Sequence, residues 1–211
     1  MDGSCQFVAL SVMHLYHLPL HLLCVAELVR TSAGAPVAGH FLAYVSKLVP
    51  CSEDESNGNI VWRCLATPFN IKEPYTLQRL TGNVTYRRPF DDTYWSRVRI
   101  DSRSSDGQRW LKNAFVISFP GKACSTTREH MPSFARLFLG EGAFMSGKPC
   151  VVQPGVITME NQPVNWTFPH FPIMPYGYMR FHQTMGRGRE VDYCQIAEFH
   201  SIPRPKQGNN G

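Results

Sequence analysis

Tyr178-Met-Arg-Phe-His-Gln-Thr-Met-Gly-Arg-Gly-Arg-Glu-Val-Asp-Tyr-Cys-Gln-Ile-Ala-Glu-Phe-His-Ser-Ile202 reads as two strands and the turn between them. From Tyr178 to Met185, the large apolar groups Met179, Phe181 and Met185 fall on one face, and Arg180, His182 and Thr184 on the other. That period of two belongs to a half-buried strand. Val191 to Ile202 continues as a second strand, and Met185-Gly-Arg-Gly-Arg189 supplies the hairpin turn. Working outward, Trp110 to Phe119 sets Leu111, Phe115, Ile117 and Phe119 against Lys112, Ala114, Val116 and Ser118, with Ser105-Asp-Gly107 as the turn before it. Further strands are predicted at Ile60–Leu65, Tyr75–Arg87, Tyr94–Ser102 and Val156–Met159. About seven such segments, broken by Gly, Pro, Asn and Asp, describe an all-β antiparallel sandwich. One segment departs from it. Met131, Phe134, Leu137 and Phe138 recur at helical spacing, with Pro132 early and Gly140 after the end, so one short helix is expected. It sits in a lateral insertion between Cys124 and Cys150, beside the loop Gly142-Ala-Phe-Met-Ser-Gly147.

The chain has 211 residues, 43% of them hydrophobic, which suits one domain with one buried core. Phe7 to Val29 is its most apolar stretch, and Ser32-Ala-Gly-Ala35 and Val37-Ala-Gly39 follow as small residues near a cleavage zone. Residues 1–39 therefore read as a signal peptide, 40–203 as the sandwich domain and 204–211 as a disordered tail. Pro19, Glu27 and three histidines make the same stretch a poor membrane anchor. The leader takes Cys5 and Cys24 with it, leaving Cys51, Cys64, Cys124, Cys150 and Cys194. In a secretory compartment that odd number implies two disulfides and one spare thiol, with the pairing open. The sequons Asn83-Val-Thr85 and Asn165-Trp-Thr167 mark Asn83 and Asn165 as glycosylation sites and agree with secretion. The formal net charge is +5 and the basic residues are spread, which reads as a solvated face or, alternatively, as weak attraction to anionic lipid headgroups. No nucleic-acid partner is expected on that route.

Catalytic grammar is missing. No G-x-S-x-G elbow, H-E-x-x-H, P-loop or G-x-G-x-x-G fingerprint occurs. His40, His130, His170, His182 and His200 are scattered, with no close spacing that puts two on one metal, and no cofactor is expected. Asp91-Asp92, after Pro89, reads as a turn. The chain is expected to break no bond; a hydrolase with a site converging from distant positions is the remaining enzymatic alternative.

A resemblance extends this reading. Val49-Pro-Cys-Ser52, Gly82-Asn-Val-Thr85, Arg88-Pro-Phe-Asp-Asp92, Cys124, Cys150 with Pro154-Gly-Val-Ile-Thr158, Pro175-Tyr-Gly-Tyr-Met-Arg180 and Cys194-Gln-Ile-Ala197 occur in that order. In order and spacing the chain resembles the lipid-recognition (ML) family, and within it is most similar to the ganglioside activator proteins and their arthropod relatives. It differs from the activators in lacking their additional cysteines around the insertion, and Cys64 has no family partner. The resemblance implies an immunoglobulin-like sandwich of two antiparallel sheets that stay apart at one end around an apolar cup. It also implies the pairs Cys51–Cys194 and Cys124–Cys150. Closing the longer loop is worth about 4 to 5 kcal/mol in the chain-entropy picture.

Lipid binding is the expected function, in secreted fluid or the lysosome, with the filled protein presenting a glycolipid to a hydrolase as ganglioside activators do. Phe115, Ile117, Phe119, Met179 and Phe181 are expected to wall the cup, and Phe134, Leu137, Phe138, Phe144, Met145, Trp166, Phe168 and Phe171 to line its mouth. Apolar side chains in Pro- and Gly-rich loops mark contact with lipid or protein. The ligand would be a glycosphingolipid, phospholipid, fatty acid or sterol. Other partners would be a membrane surface in passing, and a glycosidase or a receptor. The alternative function is a lipid-sensing module, chemosensory or innate-immune, that a receptor reads.

Overall fold

Antiparallel pairing organises the chain from β1 (Ala38–Gly39) and β2 (Phe41–Pro50) through β3 (Ile60–Ala66), β4 (Gln78–Tyr86), β5 (Phe90–Asp91), β6 (Trp95–Arg103) and β7 (Trp110–Phe119). Two helices follow, α1 (Ala123–His130) and α2 (Pro132–Leu139). Then come β8 (Val151–Val152), β9 (Gly155–Val164), β10 (Met174–Pro175), β11 (Gly177–Arg187) and β12 (Glu190–Pro203). The structure is a computed structural model and describes residues 37–145 and 147–205. The leader expected at 1–39 lies outside the described residues as far as residue 36, and so does the expected tail from residue 206. Ala38 and Gly39 are described, and pair with Pro175 and Met174.

One sheet runs β2-β12-β11-β6-β7 and the other β3-β4-β9, with two-stranded patches β1-β10 and β5-β8 at the margins. This is an all-β sandwich. The β11–β12 hairpin is its spine: Arg187 faces Glu190 across Gly188-Arg189, and Gly188 has φ +55. Met179, Met185, Tyr193 and Phe199 are buried, as the alternation requires, with β3 supplying Ile60 and Trp62 and β4 supplying Leu80, Val84 and Tyr86 from the facing sheet. Gly82 interrupts that β4 row because the strands touch there. A Cβ at Gly82 would sit 2.1 Å from the Arg63 carbonyl oxygen, and φ is +145.

On the outer face of the long sheet, His200 pairs with Tyr44 on one side and Tyr178 on the other, and the Trp110 ring lies 5.3 Å from that of Tyr178. Tyr44 and His200 stack at 4.9 Å, and His200 and Tyr178 at 4.4 Å. The guanidinium of Arg180 lies 4.2 Å over Trp110. These are the cross-strand pairs that stabilise a sheet without using its core face.

The insertion holds two helices rather than the single one expected. The missed helix, α1, buries Ala123, Cys124 and Thr127, a helical spacing written in small residues that give no apolar signal. Its own N-cap residue, Lys122, makes no side-chain cap. Asp92 caps it from a distance: Oδ1 accepts from the Ser125 N–H at 2.8 Å and Oδ2 from the Ser125 hydroxyl at 2.6 Å. Asp91 fills the expected turn role, accepting from the Thr93 N–H at 2.9 Å. Cys124–Cys150 ties α1 to the start of β8, and Cys51–Cys194 ties the end of β2 to β12. Both pairs are those the family resemblance implies. Cys64 is buried, and burial pushes its thiol up to about 12, so it is an inert core thiol.

Two buried polar groups lock the layers. Asp192, fully buried on β12, accepts from Asn57 Nδ2 at 2.7 Å, Asn59 Nδ2 at 2.8 Å and the Tyr94 hydroxyl at 2.7 Å. Burial pushes its carboxyl up, but these three donors and the charge of Arg88 outweigh that and hold it below the usual carboxylate range. Gln78 opens β4 in the short sheet and reaches the edge of the long one. Its Oε1 accepts from the Val45 N–H at 2.8 Å, and its Nε2 donates to the Val45 carbonyl at 2.8 Å and the Thr67 carbonyl at 2.7 Å. The carboxamide does for Val45 what a neighbouring strand would do. Gln78→Met keeps the volume and orphans these partners, so it should lower stability by about 3 kcal/mol or more in denaturant unfolding. A loss under about 1 kcal/mol would show that the clamp is dispensable.

Candidate ligand cavity

The two ends of the sandwich are packed differently. At one end Trp62, Tyr86, Phe90, Phe138 and Tyr193 fill the interior with rings; Phe138 lies 5.8 Å from Tyr86 and 5.4 Å from Tyr193, and the Tyr86 hydroxyl donates to the Phe138 carbonyl at 2.7 Å. Toward the other end, among the described residues, four cavities, or lobes, share lining residues. The largest, about 320 Å³, is bounded by the start of β2, the loop 69–77 and the loop 164–172. A lobe of about 120 Å³ lies under Phe115, Ile117, Met179, Phe181 and Ile173. A third, about 60 Å³, has Val98, Phe119, His130 and Met131 in its wall, and a fourth, about 50 Å³, has Val45, Trp62, Phe134 and Gln183.

One side chain touches all four. Phe168 projects from the Pro-rich loop 165–173 and lines every lobe; Phe171 lines three and Phe181 three. The loop hangs from Trp166, whose Nε1–H donates to Gln78 Oε1 at 3.0 Å, and from the Asn165 N–H, which donates to Ser133 Oγ at 2.9 Å. Beyond these anchors, a turn from the Phe171 N–H to the Phe168 carbonyl at 2.9 Å keeps the two rings on the inner side. Phe168 and Phe171 of the loop and Phe181 of β11 thus stand between the lobes.

All five expected wall residues, Phe115, Ile117, Phe119, Met179 and Phe181, border the lobes. Of the expected mouth residues, Phe134, Trp166, Phe168 and Phe171 border them as well. Leu137, Phe138, Phe144 and Met145 do not. Phe138 is fully buried in the ring cluster, and Leu137 packs against the core. Phe144 lies under the Arg136 guanidinium at 4.5 Å, where Arg128 Nη1 holds the Ala143 carbonyl at 2.9 Å and folds the loop back on the helices. Met145 is 53% exposed. The insertion thus closes the filled end and touches the cavity only through α1 and the first turn of α2. Of the two sequons, Asn165 is exposed beside the largest lobe and Asn83 is half-buried on β4.

Several lining groups were not anticipated. Phe41, Phe69, Tyr75 and Leu77 border the largest lobe, and Ile71 beside them is 81% exposed. The segment Pro68-Phe-Asn-Ile-Lys-Glu-Pro-Tyr-Thr-Leu77 carries the same signal as Trp166–Ile173, apolar side chains among prolines, and could have been found by it. Among the described residues, Arg204 is the only Lys, Arg, Asp or Glu lining that lobe. Trp62 lines the smallest lobe, and its Nε1–H is buried with no hydrogen-bond partner among the described residues. Among the described residues, no helix is long and apolar enough to cross a membrane.

The sequence matches no protein-family model and no curated protein.

Phe168→Ala should merge the lobes. A fluorescent fatty acid is then expected to bind about tenfold more tightly than to the wild type, since no ring must be displaced. Unchanged affinity would mean that Phe168 is not the barrier.

Proposed function

We propose that this chain is a lipid-binding protein of the ganglioside-activator kind, which takes an acyl chain or similar apolar body between its two sheets. The observation that supports this most directly is the meeting of four lobes at Phe168, behind a rim where Ile71, Leu77, Phe171 and Ile173 are exposed. Taking an acyl chain out of water gains about 0.8 kcal/mol per methylene, so a chain of about 16 carbons gains more than 10 kcal/mol. That exceeds what displacing two phenylalanine rings costs, each worth about 1.5 to 3 kcal/mol when fully buried.

The lobes as they stand are too small for a whole chain; only the largest reaches the lower end of ordinary ligand pockets, about 300 Å³. Uptake in this reading moves Phe168 and Phe171 outward on the loop 165–173, which is joined to the body at Trp166 and Asn165. The displaced rings and the rim residues then meet the membrane from which the lipid comes. Arg204 at the lobe's margin suits an anionic or strongly polar headgroup. Two disulfides are compatible with a secreted or extracellular protein, and the secretory or lysosomal destination belongs to the proposal. The chain itself breaks no bond here; it would present the headgroup to a hydrolase.

Delipidated protein should retain at least one class from a panel of sphingolipids, phospholipids, fatty acids and sterols through gel filtration, at about one lipid per chain. Retention of none overturns the reading.

A further inference from the structure

A second cluster lies on the outer face of the long sheet, where the loop after β2 meets β11 and β12. His182 Nε2 is 3.3 Å from Cys51 Sγ, 3.1 Å from Cys194 Sγ and 3.4 Å from Glu55 Oε2. The four candidate ligand atoms all lie within 4.8 Å of one another. Glu55 is held in place: its Oε1 accepts from the Ser52 hydroxyl at 2.7 Å and the Ser52 N–H at 3.2 Å, while Oε2 turns to the imidazole. His182 is fixed by its place mid-strand on β11, paired with Ile196 and Arg99 on either side.

These separations are close to the edges of a zinc tetrahedron. Bonds of about 2.3 Å to sulfur and about 2.0 to 2.1 Å to nitrogen or oxygen give edges of about 3.6 Å for N to S and about 3.4 Å for N to O. The two sulfurs, bonded to each other, do not fit. We infer that this corner is a redox-gated metal site, in which opening Cys51–Cys194 frees two thiolates that, with His182 Nε2 and Glu55 Oε2, hold one divalent ion of the zinc class. The step needs a dithiol reductant. It delivers two electrons and two protons to the disulfide and is itself oxidised to a cyclic disulfide. Both new thiols release their protons to water as the metal binds, and His182 offers the lone pair of Nε2 with its proton on Nδ1. Cys51 is half-buried and open to such exchange, whereas Cys124 and Cys150 are buried. The end of β2 is then stapled to β12 in both redox states, by sulfur when oxidised and by metal when reduced.

The ligands come from three separate segments, so the scattered histidines gave no metal spacing in the sequence. The inference stands apart from lipid binding.

The test is a cobalt titration of the full chain reduced with a phosphine, which itself leaves no thiol behind. One Co²⁺ per chain is expected, with thiolate-to-cobalt charge transfer in the near ultraviolet and the visible bands of tetrahedral coordination. Alkylation followed by peptide mapping should find Cys51 and Cys194 protected by the metal, with buried Cys64 as the internal reference. His182→Gln leaves the oxidised protein with its disulfide, which circular dichroism checks, and should weaken cobalt binding about a hundredfold in the reduced form. Reduced protein that binds no cobalt, whether folded or not, overturns the inference; so does binding that His182→Gln leaves unchanged.

Discussion

The carboxamide of Gln78 is the junction on which the rest of the sandwich depends. It bonds both main-chain groups of Val45 in the opposite sheet, and its Oε1 also receives the indole N–H of Trp166. Edge strands carry unpaired amides that cost free energy if buried and invite aggregation if exposed. Here the edge at Val45 is satisfied by a side chain of the other sheet, so hydrogen bonds help tie the sheets together along one side. That leaves the space behind them free to be hollow, and it fixes the base of the loop that partitions the space.

A hollow interior gives up dispersion contacts and packing density. The structure offsets this at the opposite end. Trp62, Tyr86, Phe90, Phe138 and Tyr193 are all buried in one ring cluster, α1 and α2 close over it, and Cys124–Cys150 holds the helices there. Asp192 adds a fully satisfied carboxylate that ties the loop after β2 to β12. Rigidity thus sits at the filled end, and the open end is bounded by two Pro-rich loops. Such a division suits the proposed uptake and release of an apolar body.

Much of the fold was legible because alternation is a local signal. The β11–β12 and β6–β7 hairpins, their turns and the inward set Met179, Phe181 and Met185 follow from period two and glycine placement alone. The strand Phe41–Pro50 was not among the predicted ones; Phe-Leu-Ala-Tyr-Val runs apolar on both faces because Tyr44 joins the outer stack while Val45 turns inward. Helix α1 escaped notice because its buried face is Ala, Cys and Thr and its cap lies 33 residues upstream in Asp92. All five expected wall residues and four of the eight expected mouth residues border the lobes. Phe138 and Phe144 have the composition of a binding loop, and only the return of the chain onto α2 sends them inward or beneath Arg136. Gln78, like the cluster around His182, depends on residues distant in sequence and carries no local mark.

The divided interior is proposed to be a ligand site and not merely imperfect packing. Methyl-labelled methionine reports on it directly. Met174 and Met179 border the 120 Å³ lobe, Met131 borders two others, and Met159 and Met145 border none. In a titration with a fatty acid or lysolipid followed by methyl NMR, the account predicts saturable shifts at Met131, Met174 and Met179, with Met145 and Met159 unmoved. Shifts confined to exposed Met145, or none at any lobe-lining methyl, would contradict it.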